Sequence, residues 1–236
     1  MIVPSERRRI WAVIWKDLLT EGRTKAAFNA MAFFAGLVLL MFAFALGPDT
    51  PGFGPRGQTL LEYVSPGLLW VTILLTAVLA LGRSFQVEME NGALEALRLY
   101  PGDRRSIGVG KIAANLLFLV AMECLVVPIG ALLYNLDLWP RLLPLAGILL
   151  LATVGLAAVG TFYAALTANL RAREVMLPLL LFPVMVPVVL GAVKATGLIL
   201  NGDLMGELGA WVRILVIFDV IFVTVCTLTF GYVLEE

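Results

Sequence analysis

Histidine is absent from this chain, which removes the commonest general base and the commonest metal and haem ligand. Most metalloenzyme readings lose their main ligand, and no Ser/His, paired-carboxylate or metal-ligand constellation is present to support an intramembrane enzyme. Charge is scarce too: 14% of the 236 residues are charged and 61% are hydrophobic, against roughly 25% and 45–50% in an ordinary soluble domain. A soluble globule is excluded, and no length is left for a separate soluble enzyme domain. Seventeen Lys and Arg balance seventeen Asp and Glu, so no overall charge points to nucleic acid or an acidic partner. The two cysteines, Cys124 and Cys226, each lie in an apolar run; a disulfide framework is not expected, and both should be packed, inert thiols.

Long apolar runs are what the chain does have. They fall near 27–46, 66–82, 112–134, 142–168, 175–193 and 211–234, each close to the length of about 20 residues that crosses a bilayer. The expected fold is all-α: a polytopic membrane protein of one transmembrane domain over residues 1–236 with six transmembrane helices. The first run follows a charged segment of about 25 residues and leads into Pro48 and Asp49 with no small-residue cleavage site, so it should stay as an anchor.

Orientation follows from Lys and Arg, which are retained on the cytoplasmic side. Thirteen fall on one side: Arg7, Arg8, Arg9, Lys16, Arg23, Lys25, Arg83, Arg98, Arg104, Arg105, Lys111, Arg171 and Arg173. Four fall on the other: Arg56, Arg141, Lys194 and Arg213. Six spans with both termini cytoplasmic are expected.

Two segments outside the spans carry further information. In residues 1–26, Ile10, Trp11, Ile14, Trp15, Leu18 and Leu19 share one half of a helical wheel, with Arg9, Lys16 and Asp17 on the other. This predicts an interfacial helix with tryptophans at headgroup level and cations toward water and anionic lipid. The plainer alternative is a basic tail that only sets topology. Residues 83–101 form a long, charged connection in which Phe85, Met89, Leu94, Leu97 and Leu99 alternate with Glu88, Glu90 and Glu95. A short amphipathic helix lying flat, turned near Gly92 and stopped before Pro101, fits that pattern. It would suit a groove on a soluble partner, or be a solvated connector; spacing alone does not choose.

The same stretch resembles a known family. Ser65-Pro66-Gly67-Leu68-Leu69-Trp70 opens the second run, Leu79-Ala80-Leu81 closes it, and Phe85 leads through Glu88 to Gly92-Ala-Leu94-Glu95 and Pro101. This is similar to the haem exporter protein B (CcmB) family, the ABC-2-type permease of cytochrome c maturation system I. The proline-rich fifth run, with Pro178, Pro183 and Pro187, agrees; Arg83 and Ser65 depart from the family pattern outside its Gly-Leu-Glu core. The resemblance implies that the N-terminal helix is an elbow, that residues 83–101 are a coupling helix, and that Phe85, Glu88, Gly92, Leu94, Glu95 and Pro101 meet a separate ABC ATPase subunit (CcmA-type). It further implies haem-handling membrane subunits (CcmC- and CcmD-type), a haem chaperone (CcmE-type), an inner-membrane location, and a non-catalytic subunit. Haem would be handled by the complex and ATP bound by the partner, with neither held as a cofactor by this chain. Gly108-Val109-Gly110-Lys111 imitates the end of a phosphate-binding loop, but Arg105 stands where its first Gly belongs and Ile112 where Ser or Thr belongs.

Glu123 and Asp219 lie within apolar runs, where an ionised acid costs at least about 2.5 kcal/mol. Each is expected to be protonated, paired or turned to a protein interior, with Asp219 near enough to the surface to stay wet instead. Donors such as Asn115, Thr153, Thr161, Tyr163 or Thr227 could make these acids purely structural. The three prolines of the fifth run predict kinks, and residues 195–201 are apolar enough to dip back into the outer leaflet. Three functions follow. The first is the haem-handling permease coupled to a partner ATPase, driving translocation or release of the loaded chaperone. The second is an ABC-2 permease for a lipid, glycan or drug-like substrate. The third is an ion-coupled transporter or channel using Glu123 and Asp219.

Overall fold

The computed structural model describes residues 6–47, 50–52, 57–90, 105–168, 170, 172–203 and 205–233. They form seven α-helices: α1 (Glu6–Thr24), α2 (Ala26–Leu46), α3 (Leu60–Glu90), α4 (Arg105–Leu133), α5 (Leu142–Thr167), α6 (Arg173–Asn201) and α7 (Leu208–Val233). A 3-10 turn at Trp139–Arg141 leads into α5, and among the described residues the only β pairing is an isolated bridge between Pro51 and Thr59. The helices α2 to α7 supply six spans long and apolar enough to cross a membrane, as the apolar runs predict.

α5 is the hub. It packs on α3, α4, α6 and α7, and it can do so because its contact faces are small: Ala152, Ala157, Ala158, Gly160 and Thr161 are buried along it. Small residues let backbones approach where no aqueous hydrophobic effect drives helices together. A Cβ at Gly160 would stand 2.3 Å from Leu81 Cδ1 of α3. α1 is separate from the spans and packs chiefly on α4. It turns into α2 at Lys25, a non-glycine residue at φ 50°. The Glu21 carboxylate spans the turn and accepts the Phe28 N–H at 3.0 Å, satisfying one of the orphan donors that every helix start exposes.

The start of α3 is fixed by its own sequence. Thr59 and Glu62 form a reciprocal capping box: Thr59 Oγ1 accepts from Glu62 N at 3.2 Å and a Glu62 carboxylate oxygen accepts from Thr59 N at 3.1 Å. Pro66 lies inside the helix and cannot donate to the Glu62 carbonyl four residues back. The Ser65 hydroxyl donates to that carbonyl at 2.8 Å, so Ser65-Pro66 continues the helix with no acceptor stranded.

Three expectations are corrected here. Residues 83–90 continue α3 rather than starting a separate flat helix, because Phe85 is buried and anchors the extension. Residues 195–201 continue α6 to Asn201 instead of dipping back; Ala195, Thr196, Ile199 and Leu200 are buried against its neighbours, and all three prolines lie within that one helix. Third, Arg9 and Asp17 do not both face water: Arg9 is buried and Asp17 is paired with α4, while Lys16 is exposed as expected and so are Trp11 and Trp15.

Candidate functional site

Lys111 sits in the second turn of α4 with its side chain 2% exposed. Burying an ammonium costs several kcal/mol unless it is paired, and two neighbouring helices supply the pairing. The partners are three, from two helices: from α1, Asp17 Oδ2 lies 3.0 Å from Lys111 Nζ, and Lys16 Nζ lies 3.1 Å from the other Asp17 oxygen. From α3, Lys111 Nζ donates to the Ser84 carbonyl at 3.3 Å and stands 5.1 Å from the centre of the Phe85 ring, within cation–π range. One side chain therefore ties α1, α3 and α4 together at the face that carries the N-terminal helix.

Neighbouring glycines let α1 and α7 close on this part of α4. A Cβ at Gly110 would be 2.8 Å from Val13 Cβ and 3.2 Å from the Ile10 carbonyl; one at Gly108 would be 2.4 Å from Phe230 Cγ. The glycines that imitate a phosphate-binding loop are thus seats for neighbouring helices.

Of the six residues assigned to the ATPase interface, Phe85 is buried within the chain's own joint, and Glu88 lies in the last turns of α3. Gly92, Leu94, Glu95 and Pro101 lie outside the described residues. Asp17 and Lys111 were not singled out as a site by the sequence reading. The readable signal was an acid on an otherwise amphipathic helix and a lone cation at the threshold of an apolar run.

Glu123 and Asp219 both meet α5. Glu123 is 5% exposed and hydrogen-bonds through Oε1 to Thr153 Oγ1, whose hydroxyl also donates to Leu149 O at 2.7 Å. The Thr153 hydroxyl is the donor in the bond to Glu123, and its single hydrogen is shared between that carboxyl and the Leu149 carbonyl. Asp219 is 8% exposed, not wet. Its Oδ1 would lie 2.6 Å from a Cβ on Gly155, and its Oδ2 has no hydrogen-bond partner among the described residues. Thr153 and Gly155 are two residues apart, about 200° around a helix, so the two acids lie on opposite sides of α5. Two of the other candidate donors bond elsewhere: Asn115 Nδ2 donates to Thr161 Oγ1 at 2.9 Å, and Thr227 Oγ1 to Val223 O at 2.6 Å.

Glu123 also lines a groove of about 640 Å³ between α4 and α5, otherwise mostly apolar and rimmed by Asn135 and Trp139. Cys124 is exposed on α4 beside it, a correction to the expectation of a packed thiol; Cys226 is buried as expected.

A family model described as CcmB protein matches residues 8–236. The chain belongs to the CcmB family. Relatives of this CcmB-family chain include Heme exporter protein B of Haemophilus influenzae, 33% identical over 205 residues that cover 84% of this chain and 87% of the relative. Heme exporter protein B of Pseudomonas aeruginosa is 34% identical over 183 residues, 75% of this chain and 77% of the relative. The protein of the same name from Rhodobacter capsulatus is 34% identical over 176 residues, with the same two coverages of 75% and 77%. The resemblance read from Ser65 to Pro101 is to this family, and the CcmB match takes in both partners of the joint, Asp17 and Lys111.

Proposed function

We propose that this CcmB-family chain is the non-catalytic permease subunit of an ABC-transporter-like complex that exports or handles haem for c-type cytochrome biogenesis. The relatives' name, Heme exporter protein B, supports haem as cargo of the complex. With no histidine in the chain, an axial imidazole comes from a partner: a CcmC- or CcmD-type subunit or a CcmE-type chaperone. ATP is bound and hydrolysed by a CcmA-type subunit.

The observation that carries the coupling role is the Lys111 joint. Residues 91–104 connect α3 to α4, and Lys111 closes that connection at its base through Ser84 and Phe85. An ATPase seated on Glu88, Gly92, Leu94, Glu95 and Pro101 pushes on both helices at once, and Asp17 passes the displacement to α1. The result is a conformational change that translocates haem or releases the loaded chaperone. The face with thirteen of the seventeen Lys and Arg is the cytoplasmic face of the inner membrane, with both termini on it.

The test is deletion of the chain in its native cell, with haem staining of membrane and periplasmic proteins. Loss of covalently bound haem, restored by a plasmid copy, is the expected result. Unchanged staining would leave an ABC-2-type permease with another cargo. Glu95→Arg on the plasmid should leave the chain in the membrane and prevent recovery of the ATPase with it; normal assembly and staining would end the coupling assignment.

A further inference from the structure

A second feature of the N-terminal face lies beside the joint and is independent of the coupling role. A cavity of about 170 Å³ opens between α1, α2, α3 and α4, well above the roughly 15 Å³ that a single water needs. Its lining is graded along the helices. Charged and polar side chains of α1, Arg83 and Ser84 of α3 and Lys111 of α4 make the polar part, which reaches down α4 as far as Asn115; Ala27 and Met31 of α2, Ala80 of α3 and Phe118 of α4 make the apolar part. On α4 the change from Lys111 to Phe118 takes seven residues, about 10 Å of helix, and runs into the membrane-spanning region.

Two observations identify what fits. Of the charged side chains in the lining, Lys16 and Lys111 are both paired with Asp17 and Glu21 accepts from Phe28 N, which leaves Arg83 as a lining cation with no ion pair among the described residues. The depth is set by α1, whose Trp11 and Trp15 are 63% and 54% exposed and stack with ring centres 6.4 Å apart. Exposed tryptophans on a membrane-surface helix lie at headgroup level. A monoanionic polar group at headgroup level, continued by an apolar wall below it, is the outline of a phospholipid.

We propose that this cavity binds the phosphodiester headgroup of a phospholipid, with Lys16 and Arg83 contacting the phosphate and Met31 and Phe118 contacting the start of the acyl chains. Lys111 stays committed to Asp17, Ser84 and Phe85, so lipid occupies the site without opening the joint. A primary-amine headgroup gains an additional partner in the Glu21 carboxylate.

The full chain, purified in mild detergent and delipidated, is titrated with phosphatidylethanolamine or phosphatidylglycerol and read by native mass spectrometry. One tightly retained lipid per chain is expected. Retention should fall about fivefold for Lys16→Gln or Arg83→Gln and roughly 30-fold for both, at about 1 kcal/mol per cation, and Arg83→Lys should keep it. Inorganic phosphate should not displace the lipid, because it lacks the acyl contacts. No retained lipid, retention unaffected by the double substitution, loss of retention in Arg83→Lys equal to that in Arg83→Gln, or displacement by inorganic phosphate would each overturn the assignment. Circular dichroism and the denaturation midpoint of each variant separate loss of the site from loss of the fold.

Discussion

At the end of α3 that starts beyond Thr59, its ties to α6 are neutral hydrogen bonds: Trp70 Nε1 donates to Thr196 Oγ1 at 2.9 Å and Gln58 Nε2 donates to Asn201 Oδ1 at 2.7 Å. At the other end, α3 is held by one buried cation whose partners are a carboxylate, a carbonyl and an aromatic ring. The first arrangement holds a single geometry, because each donor has one acceptor at a fixed place. In the second, an ammonium with three donors on a four-carbon stem can change its share among partners on α1 and α3 without losing them all. A brace of fixed neutral bonds and a joint around one buried cation thus stand at the two ends of one helix, with the joint next to the segment proposed to seat an ATPase.

The contrast is broken most severely at Asp17. Asp17→Ala leaves Lys111 buried without its carboxylate and should cost about 3–5 kcal/mol, measured as the denaturation midpoint of the purified chain. Lys111→Met removes the charge together with its burial cost and should cost less. The reverse order would mean that packing, not charge, holds the joint. Gly110→Ala comes next: its Cβ would stand 2.8 Å from Val13 Cβ, and such overpacking costs about 1–3 kcal/mol. It should also speed proteolysis in α1; an unchanged cleavage rate would show that α1 is held elsewhere.

The brace should yield less. Trp70→Phe deletes one neutral bond, worth about 1 kcal/mol, and a double-mutant cycle with Thr196→Val should return a coupling of that size; zero coupling would leave only ring packing. The smallest effect is expected at Asp203, which caps the start of α7 by accepting from Leu208 N at 3.0 Å and Glu207 N at 2.8 Å. Those bonds, Leu208 first, hold its carboxyl below the ordinary value of 3.8. Its contribution is present above that value and lost as pH falls through the lowered one, so acid titration of stability should show a step that Asp203→Asn removes.

The spans were legible because apolar length is a local property, and so was the family, from the run between Ser65 and Pro101. Helix ends were less so. α3 passes the last apolar residues of its run because Phe85 finds a buried place, and α6 reaches Asn201 because Thr196 meets Trp70; neither contact is local in sequence. The Thr59/Glu62 capping box is written in the local sequence, ahead of the apolar run that it starts. The joint was hidden for a different reason. Lys111 looks like one more topology-setting cation, and Asp17 looks like part of a water-facing stripe, until folding puts them 3.0 Å apart.

Gly108 and Gly110 also bear on how α4 can move. They are two residues apart and so point about 200° away from each other, which places Phe230 of α7 and Val13 of α1 in notches on opposite sides of the same turn. α4 is gripped there like a rod between two fingertips. Sliding it by one turn, about 5.4 Å, would lift both fingertips out of their notches together, whereas tilting it about that point leaves both seated. A push delivered to the start of α4 would therefore be turned into a swing of its far half, the half that carries Glu123 and one wall of the groove.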